Sequence, residues 1–416
     1  MKDRVAFSLD IGSSKIVSVS GVIGDGIKIC GVANNFFVNN YKNNEFLIVN
    51  HGVICDLNSI IPKVNKVLND VKRSADCSYG SVILNIASNQ TKSICFQKNI
   101  NLEDCKITKE VMHNLNLEIN KINIPKSYEI LDYEIQEYLL DNQFYTINPI
   151  NMAATNIQSN VNMFISGTTQ INNLKTSLKK SQFSLSKIVP SGVLSGMAVL
   201  NAEEKDLGCC LLDIGAGTTD IVVYQNGYIR YLYSIPLGGE DITTDIANVF
   251  KISRNLAEDI KLNYGAVNHS TIKNNLRTSG FIEINDQRGV KFNIQRKLLL
   301  DVISARIEEI LKLVKTILDN NKVYDIIKSG FIITGGTSLI SGMAGFAENL
   351  YNVPVRIGVP NYEGDYQDVI LDPRYASVVG GLYFIKEYMS GDIKNTKGNS
   401  SGWPWSLIKK IFSAES

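Results

Sequence analysis

A chain of 416 residues, 44% of them apolar, with a mean hydropathy near zero, is long enough to bury two hydrophobic cores and falls among globular proteins. Its 42 basic and 41 acidic side chains nearly cancel to +1, and no basic stripe is interleaved with aromatics, so nucleic acid is not an expected partner. No run approaches about 20 apolar residues, the N-terminus passes straight into a strand, and seven cysteines include no Cys-x-x-Cys pair. These features argue against a spanning helix, a signal peptide, a disulfide framework and a zinc site, and they point to the cytoplasm. The scattered His51, His113 and His269 give no support to a Ser-His-Asp hydrolase.

The chain opens on predicted strands at 5–9, 15–20 and 27–33. Between the first two stand Asp10, Gly12, Ser13, Ser14 and Lys15. A helix is predicted over 57–73, with Ile60, Val64, Val67, Leu68 and Val71 on one face. A buried strand follows at 81–87. Residues 88–167 are polar and Asn-rich, with a helix expected at 108–120, alternation at 128–135 and an apolar strand at 161–165. This reads as a small α+β subdomain inserted into the first domain, which resumes with a helix at 174–181, a strand at 184–190 and a helix at 191–201.

The stretch 208–227 then repeats the opening device: an apolar run, Asp213, Gly215, Gly217, Thr218, Thr219, and a β-branched run after Asp220. Strand, tight turn, strand is the expected geometry, with the glycines supplying positive φ and letting backbone N–H groups approach phosphate oxygens. The hydroxyls add neutral donors, and an aspartate can orient a hydrated Mg²⁺. In the first copy Lys15 stands in the place of Asp220, a cation for terminal phosphates. Either turn alone is an ordinary Gly-rich loop. Two of them imply a nucleotide clamped between related domains.

Further on come Gly238 and Gly239, a helix at 241–250 and another at 254–264 carrying Glu258 and Lys261, on the residues alone a surface pair three apart. The helix expected at 295–319 has an apolar arc of Leu299, Val302, Ile303, Ile310, Leu313, Val314 and Ile317. Arg306 projects into that arc, where it must pair with Glu309 or reach a partner. A strand at 331–334 runs into Gly335, Gly336, Thr337 and Ser338, with helical spacing at Ile340, Met343, Ala347 and Leu350; a base can lie flat on such a glycine turn.

Residues 389–401 are a Gly, Ser, Asn and Lys-rich linker, and the end of the chain, GWPWSLIKKIFSAES, holds the only two tryptophans. On a helix Trp405, Leu407, Ile408, Ile411 and Phe412 share one arc, Lys409 and Lys410 lie opposite, and Trp403 marks the boundary. A helix this short needs something apolar to fold against, and a membrane interface fits its flanking tryptophans and lysines.

The two aspartate-glycine turns and the glycine pair at 335–336, in this order, resemble the actin-like ATPase superfamily, and the inserted subdomain and the tail resemble its FtsA family of bacterial cell-division proteins. The resemblance implies an α/β, actin-like (ribonuclease H-like duplicated) two-domain fold with an inserted α+β subdomain. The first domain would comprise 1–87 and 168–201, the insert 88–167, the second domain 202–388, the linker 389–401 and a membrane-targeting helix 402–416. It implies ATP and Mg²⁺ between Asp10, Gly12, Ser13, Ser14, Lys15 and Asp213, Gly215, Gly217, Thr218, Thr219, with the metal held through water by Asp10 and Asp213. Gly239, Glu258, Lys261, Gly335, Gly336 and Ser338 would surround the nucleoside. Arg306 and Glu309 would meet the acidic C-terminal peptide of the tubulin-like ring protein FtsZ. Trp403, Trp405, Leu407, Ile408, Lys409, Lys410, Ile411 and Phe412 would anchor a polymer to the cytoplasmic face of the inner membrane at the division site, where it recruits other division proteins. With Ser191 and Gly192 where relatives often place a water-orienting acid, hydrolysis is expected to be slow. A pilus-assembly ATPase or a sugar or acid kinase of the same superfamily is the alternative, and a chaperone ATPase would need a large further domain.

Overall fold

The computed structural model describes residues 4–37, 48–76, 80–102, 106–179, 181–267, 280–286 and 289–394; the expected membrane helix at 402–416 and most of the linker lie outside them. The predicted meander is present as β1 (Arg4–Ile11), β2 (Lys15–Ile23) and β3 (Ile27–Phe36), antiparallel throughout. Helix α1 (Leu57–Ser74) starts where Asp56 accepts hydrogen bonds from the Asn58 and Ser59 N–H groups, and it buries the five residues expected of it. Strands β4 (Gly80–Ile86) and β9 (Phe183–Pro190) extend the meander in parallel, giving a sheet of order β9-β4-β1-β2-β3.

The second half repeats this arrangement. Strands β10 (Cys209–Ile214), β11 (Thr219–Gln225) and β12 (Tyr228–Ile235) form the meander, and β13 (Phe331–Thr334) and β14 (Val355–Ile357) add in parallel. The insert supplies β5 (Lys92–Asn101), α2 (Lys109–Asn120), β6 (Tyr128–Leu140), β7 (Phe144–Thr146) and β8 (Asn156–Gly167). Its strands are not a separate sheet: Tyr233 pairs with Lys92, so the second sheet continues into the insert as β14-β13-β10-β11-β12-β5-β8-β6-β7.

Strand β10 has no polar side until Asp213 because both its faces are covered. Cys209 and Leu211, which follow the short helix α5 (Ala202–Leu207), pack with α4 (Ser191–Val199) and the last described helix, α10 (Ala376–Lys394), between the two sheets. Cys210, Leu212 and Ile214 pack under α6 (Gly239–Phe250), α7 (Arg254–Tyr264) and α8 (Arg296–Asn320). Among the described residues no helix is long and apolar enough to cross a membrane.

Four expectations change. The helix expected at 174–181 is α3 (Thr168–Ser177), starting on the heels of β8; its buried Gln170, which accepts from Ile54 N–H and donates to the Gly52 carbonyl, makes a core turn look polar in sequence. Helix α10 continues to Lys394, past the expected start of the linker, and it packs with Ala6, Val17 and Val19 of the first sheet as well as with Cys209 and Leu211 of the second. The arc of α8 is rotated: Leu300, Ile307, Leu311 and Leu318 are buried while Leu313 is 37% exposed. After β13 the chain makes a 3₁₀ turn, Gly336–Leu339, and α9 (Met343–Tyr351) begins only after Gly342, so Ile340 lies outside the helix.

Candidate functional site: a cleft between paired aspartate-glycine turns

The two turns are superimposable in their bonding. Gly12 N–H donates to the Lys15 carbonyl (2.9 Å), and Gly215 N–H donates to the Thr218 carbonyl (2.8 Å). Lys15 therefore corresponds to Thr218, and Asp220, whose register partner is Asp213, corresponds to Val17, the partner of Asp10. The sequence alignment of Lys15 with Asp220 is corrected accordingly. The reason for glycine also differs from expectation, since Gly12, Gly215 and Gly217 do not have positive φ. At Gly217 the requirement is contact: a Cβ would lie 2.3 Å from Ser13 Oγ and 2.9 Å from His51 Cα. His51 Nδ1–H donates to the Gly217 carbonyl (2.9 Å) and Gly52 N–H to Ser13 Oγ (3.1 Å), so the turns of the two domains meet tip to tip.

Behind each turn a serine from a helix lying between the sheets reaches an aspartate. Ser195 of α4 donates to Asp213 (2.5 Å), and Ser377 of α10 donates to Asp10 (3.3 Å). Lys15 donates to the Arg374 carbonyl. Burial pushes the Asp10 carboxyl up, against the pull of Lys15 and Ser377, and pushes the Lys15 ammonium down. Asp213 is raised by burial to about 6, with Asp10 adding to the rise, and Asp220 is raised well above the usual range by burial and by Asp213. Carboxylates crowded and desolvated in this way are a donor set suited to a hard dication, so Asp10 and Asp213 fit a hydrated Mg²⁺ on chemical grounds.

A third wall is built on α6 and α7. Gly239 N–H donates to the Gly215 carbonyl (3.0 Å) and Thr337 Oγ1 to the same oxygen (2.8 Å), tying this wall and the 3₁₀ turn to the second phosphate-type turn. The Lys261 ammonium donates to the Gly239 carbonyl (2.9 Å), Thr243 (2.8 Å) and Glu258 (2.7 Å). With its side chain 9% exposed, Lys261 is not half of a surface pair; it and Glu258 line the cleft. Gly335 at φ 84° would place a Cβ 2.4 Å from Asp213 Oδ1, and Gly336 faces open space, nearest the Arg374 side chain at 3.6 Å.

These walls enclose a cavity of about 600 Å³, within the size range of nucleotide and drug-sized ligands. Of the residues expected there, Asp10, Gly12, Ser13, Ser14, Lys15, Asp213, Gly215, Gly217, Thr218, Gly239, Glu258, Lys261, Gly335 and Gly336 line it. Thr219 and Ser338 do not. Thr219 is fully buried with its hydroxyl donating to the Leu237 carbonyl, and Ser338 turns back onto the Gly335 carbonyl. The sequence reading passed over Asp220, Thr243, Arg254, Leu262 and Ser377. Only Asp220 carried a signal, its place two residues past the turn, directly across the hairpin from Asp213.

Arg306 lies on α8, away from the cleft. Its guanidinium makes a two-pronged pair with Asp245 of α6 (2.7 and 3.0 Å) and a third bond to Glu309 (2.6 Å), which raise its already high pKa. Asp245, which the sequence reading did not anticipate, is its main partner.

A five-strand arrangement present once as a whole sheet and again as one half of the nine-stranded sheet, with paired turns around one cleft, defines an actin-like, nucleotide-type fold. Solved structures agree: the fold is shared with the PilM-PilN type IV pilus biogenesis complex (TM-score 0.63, 16% identity, 92% of this chain and 98% of that one) and with MreB 5 of Spiroplasma citri bound to AMPPNP (TM-score 0.55, 16% identity, 94% and 99%). Residues 210–380 match the family described as Cell division protein FtsA, and residues 88–165 match the SHS2 domain inserted in FtsA. The chain is 31% identical to the cell division protein FtsA of Neisseria meningitidis serogroup B over 92% of its own length and 90% of that protein's. It belongs to the FtsA family of actin-like cell-division proteins.

Proposed function

We propose that the cleft binds ATP with Mg²⁺ and that the protein is a nucleotide-dependent adaptor which self-associates and holds the FtsZ ring to the inner membrane. The observation that carries this reading is the pair of aspartate-glycine turns meeting across the cavity, Gly217 against Ser13, with Lys261, Glu258 and Gly336 forming the third wall. The turns' backbone N–H groups and Lys15 would hold the phosphates, Asp10 and Asp213 the hydrated metal, and Gly335 and Gly336 the base. The metal would neutralise phosphate charge. Asp220 lines the cleft and abuts the start of α4, where a Cβ on Gly192 would lie 3.0 Å from its own Cβ. It is the carboxylate best placed to orient water, and burial together with Asp213 pushes its carboxyl well above the usual range.

The MreB relative bound to AMPPNP supports a nucleotide in this fold, and full-length similarity to division proteins supports the adaptor role over a pilus or kinase role. In this reading Arg306 and Glu309 meet the acidic FtsZ peptide, and Trp403 to Phe412 meet the lipid. Gly336→Asp, which puts a charged side chain into the space left for the base, should reduce fluorescent-ATP affinity at least tenfold; an unchanged titration overturns the nucleoside placement.

A further inference from the structure

Asn85 on β4 is 3% exposed, and neither its amide nitrogen nor its oxygen has a hydrogen-bond partner. Among the described residues it is the one side chain with both ends buried and unpartnered. A leucine has nearly the same volume and would remove that penalty, so packing gives no reason for an amide here.

Its position supplies a reason. Strands β1 and β4 run parallel and pair as far as Leu9 and Leu84, and Asp10 and Asn85 each follow one residue later on these neighbouring strands. Both project from the same face. Leu84 and Ile86 pack with Phe7 and Leu9 under α1, whereas Ile83 packs with Ala6 toward α4 and α10. On that face Asp10 has a single long bond, from Ser377, and Ser8 also has an unpartnered hydroxyl. Two residues beyond Asn85, Ala87 lines the cleft; on the other side Asn85 pairs with Val189, just before Ser191 enters it.

We propose that Asn85 is a positioning residue of the nucleotide site: its amide donates to the Asp10 carboxylate, directly or through one buried water, and holds that carboxylate toward the hydrated metal of a bound Mg²⁺-nucleotide. The inference rests on the reading of the cleft as a Mg²⁺-ATP site.

The test compares fluorescent-ATP affinity with Mg²⁺ and with EDTA in the full-length wild type, Asn85→Leu and Asn85→Ser, together with thermal unfolding. Asn85→Leu should cut the Mg²⁺-dependent gain in affinity about tenfold, the loss expected for one bond to a charged group. Affinity in EDTA and melting temperature should be unchanged or higher, and Asn85→Ser, which keeps a polar donor, should recover part of the gain. A full Mg²⁺ gain in Asn85→Leu, with raised stability, shows an idle buried amide and overturns the inference. Absence of any Mg²⁺ gain in the wild type overturns the reading of the cleft as well. Should Asn85→Leu not fold, Asn85→Ala against Asn85→Ser makes the same comparison, and equal gains in those two sink the proposal.

Discussion

At the scale of single residues, Gly217 answers to contact rather than to backbone conformation, and the two glycines of the second turn are needed unequally. Gly217→Ala drives a methyl group into Ser13 and the backbone of His51, which cannot yield as a flexible side-chain end would. We expect it to destabilise the fold by roughly 1–3 kcal/mol, as overpacking does, and to weaken ATP binding by separating the turns. Gly215→Ala meets nothing closer than the Thr218 carbonyl at 3.4 Å and should melt within a degree or two of wild type. Equal losses in calorimetry would mean that the tip-to-tip contact is not what selects Gly217. The aspartates and glycines were legible because their spacing recurs in both halves of the chain. Thr219 was misplaced because a hydroxyl beside a turn looks the same in sequence whether it faces a ligand or, as here, the carbonyl of Leu237. Lys261 looked like a surface lysine for the same reason: its acceptors, Gly239 and Thr243, lie on a different helix.

At the scale of elements, helix and strand positions followed from apolar period, whereas the partners that polar residues find between elements did not. Strand β6 shows this: its alternation marks a half-buried strand, yet beside Tyr133 and Leu140 it also buries Asp132, Glu134 and Gln136, which face Lys187 and β12. Glu134 accepts from Ile229 N–H (3.0 Å), joining the insert to the second meander, and burial raises it to about 8 despite that bond. A carboxyl raised on folding contributes stability that is complete below its unfolded value of 4.5 and lost as pH rises toward 8. Glu134→Gln keeps an acceptor without the charge. The variant should match wild type near pH 4.5 and exceed it by a few kcal/mol at pH 8, with the gap opening between those values. Parallel denaturation curves at every pH would exclude an ionisable Glu134 as the cause. On α8, Arg306→Glu removes the clamp on Asp245 and sets like charges together, so it should lower stability by about 1 kcal/mol, a partly exposed pair being worth little more. Pairing it with Asp245→Arg should restore the melting temperature. If capture of an acidic FtsZ peptide returns as well, the arginine acts by holding α6 to α8; if capture stays lost, Arg306 touches the peptide.

At the scale of the whole molecule, one helix connects the cleft to the end of the chain. Helix α10 begins beside the cleft, where Ser377 reaches Asp10, packs between the two sheets as far as Phe384, and ends at Lys394, beyond which the sequence predicts a linker and an amphipathic segment. A segment of this length with two lysines gains only about 1 kcal/mol per lysine at an anionic surface, so a single copy should hold the membrane weakly. On the proposed adaptor reading, firm attachment would depend on how many copies one assembly presents, since linking sites multiplies residence by about 10² to 10⁴ without any new contact. The insert's edge strand β7, away from cleft and tail, presents Phe144 and Tyr145, 64% and 65% exposed, at the free margin of the nine-stranded sheet. Two substitutions therefore separate the links. Trp405→Glu places a charge in the apolar arc and should abolish co-sedimentation with anionic vesicles while ATP affinity stays unchanged. Tyr145→Asp, if β7 is an assembly contact, should reduce vesicle binding to the level of an isolated tail while leaving both the tail and ATP affinity intact. A variant shown by sedimentation to be monomeric that still binds vesicles as tightly as wild type would defeat the avidity argument, and the tail would have to be a stronger anchor than its apolar arc and two lysines supply.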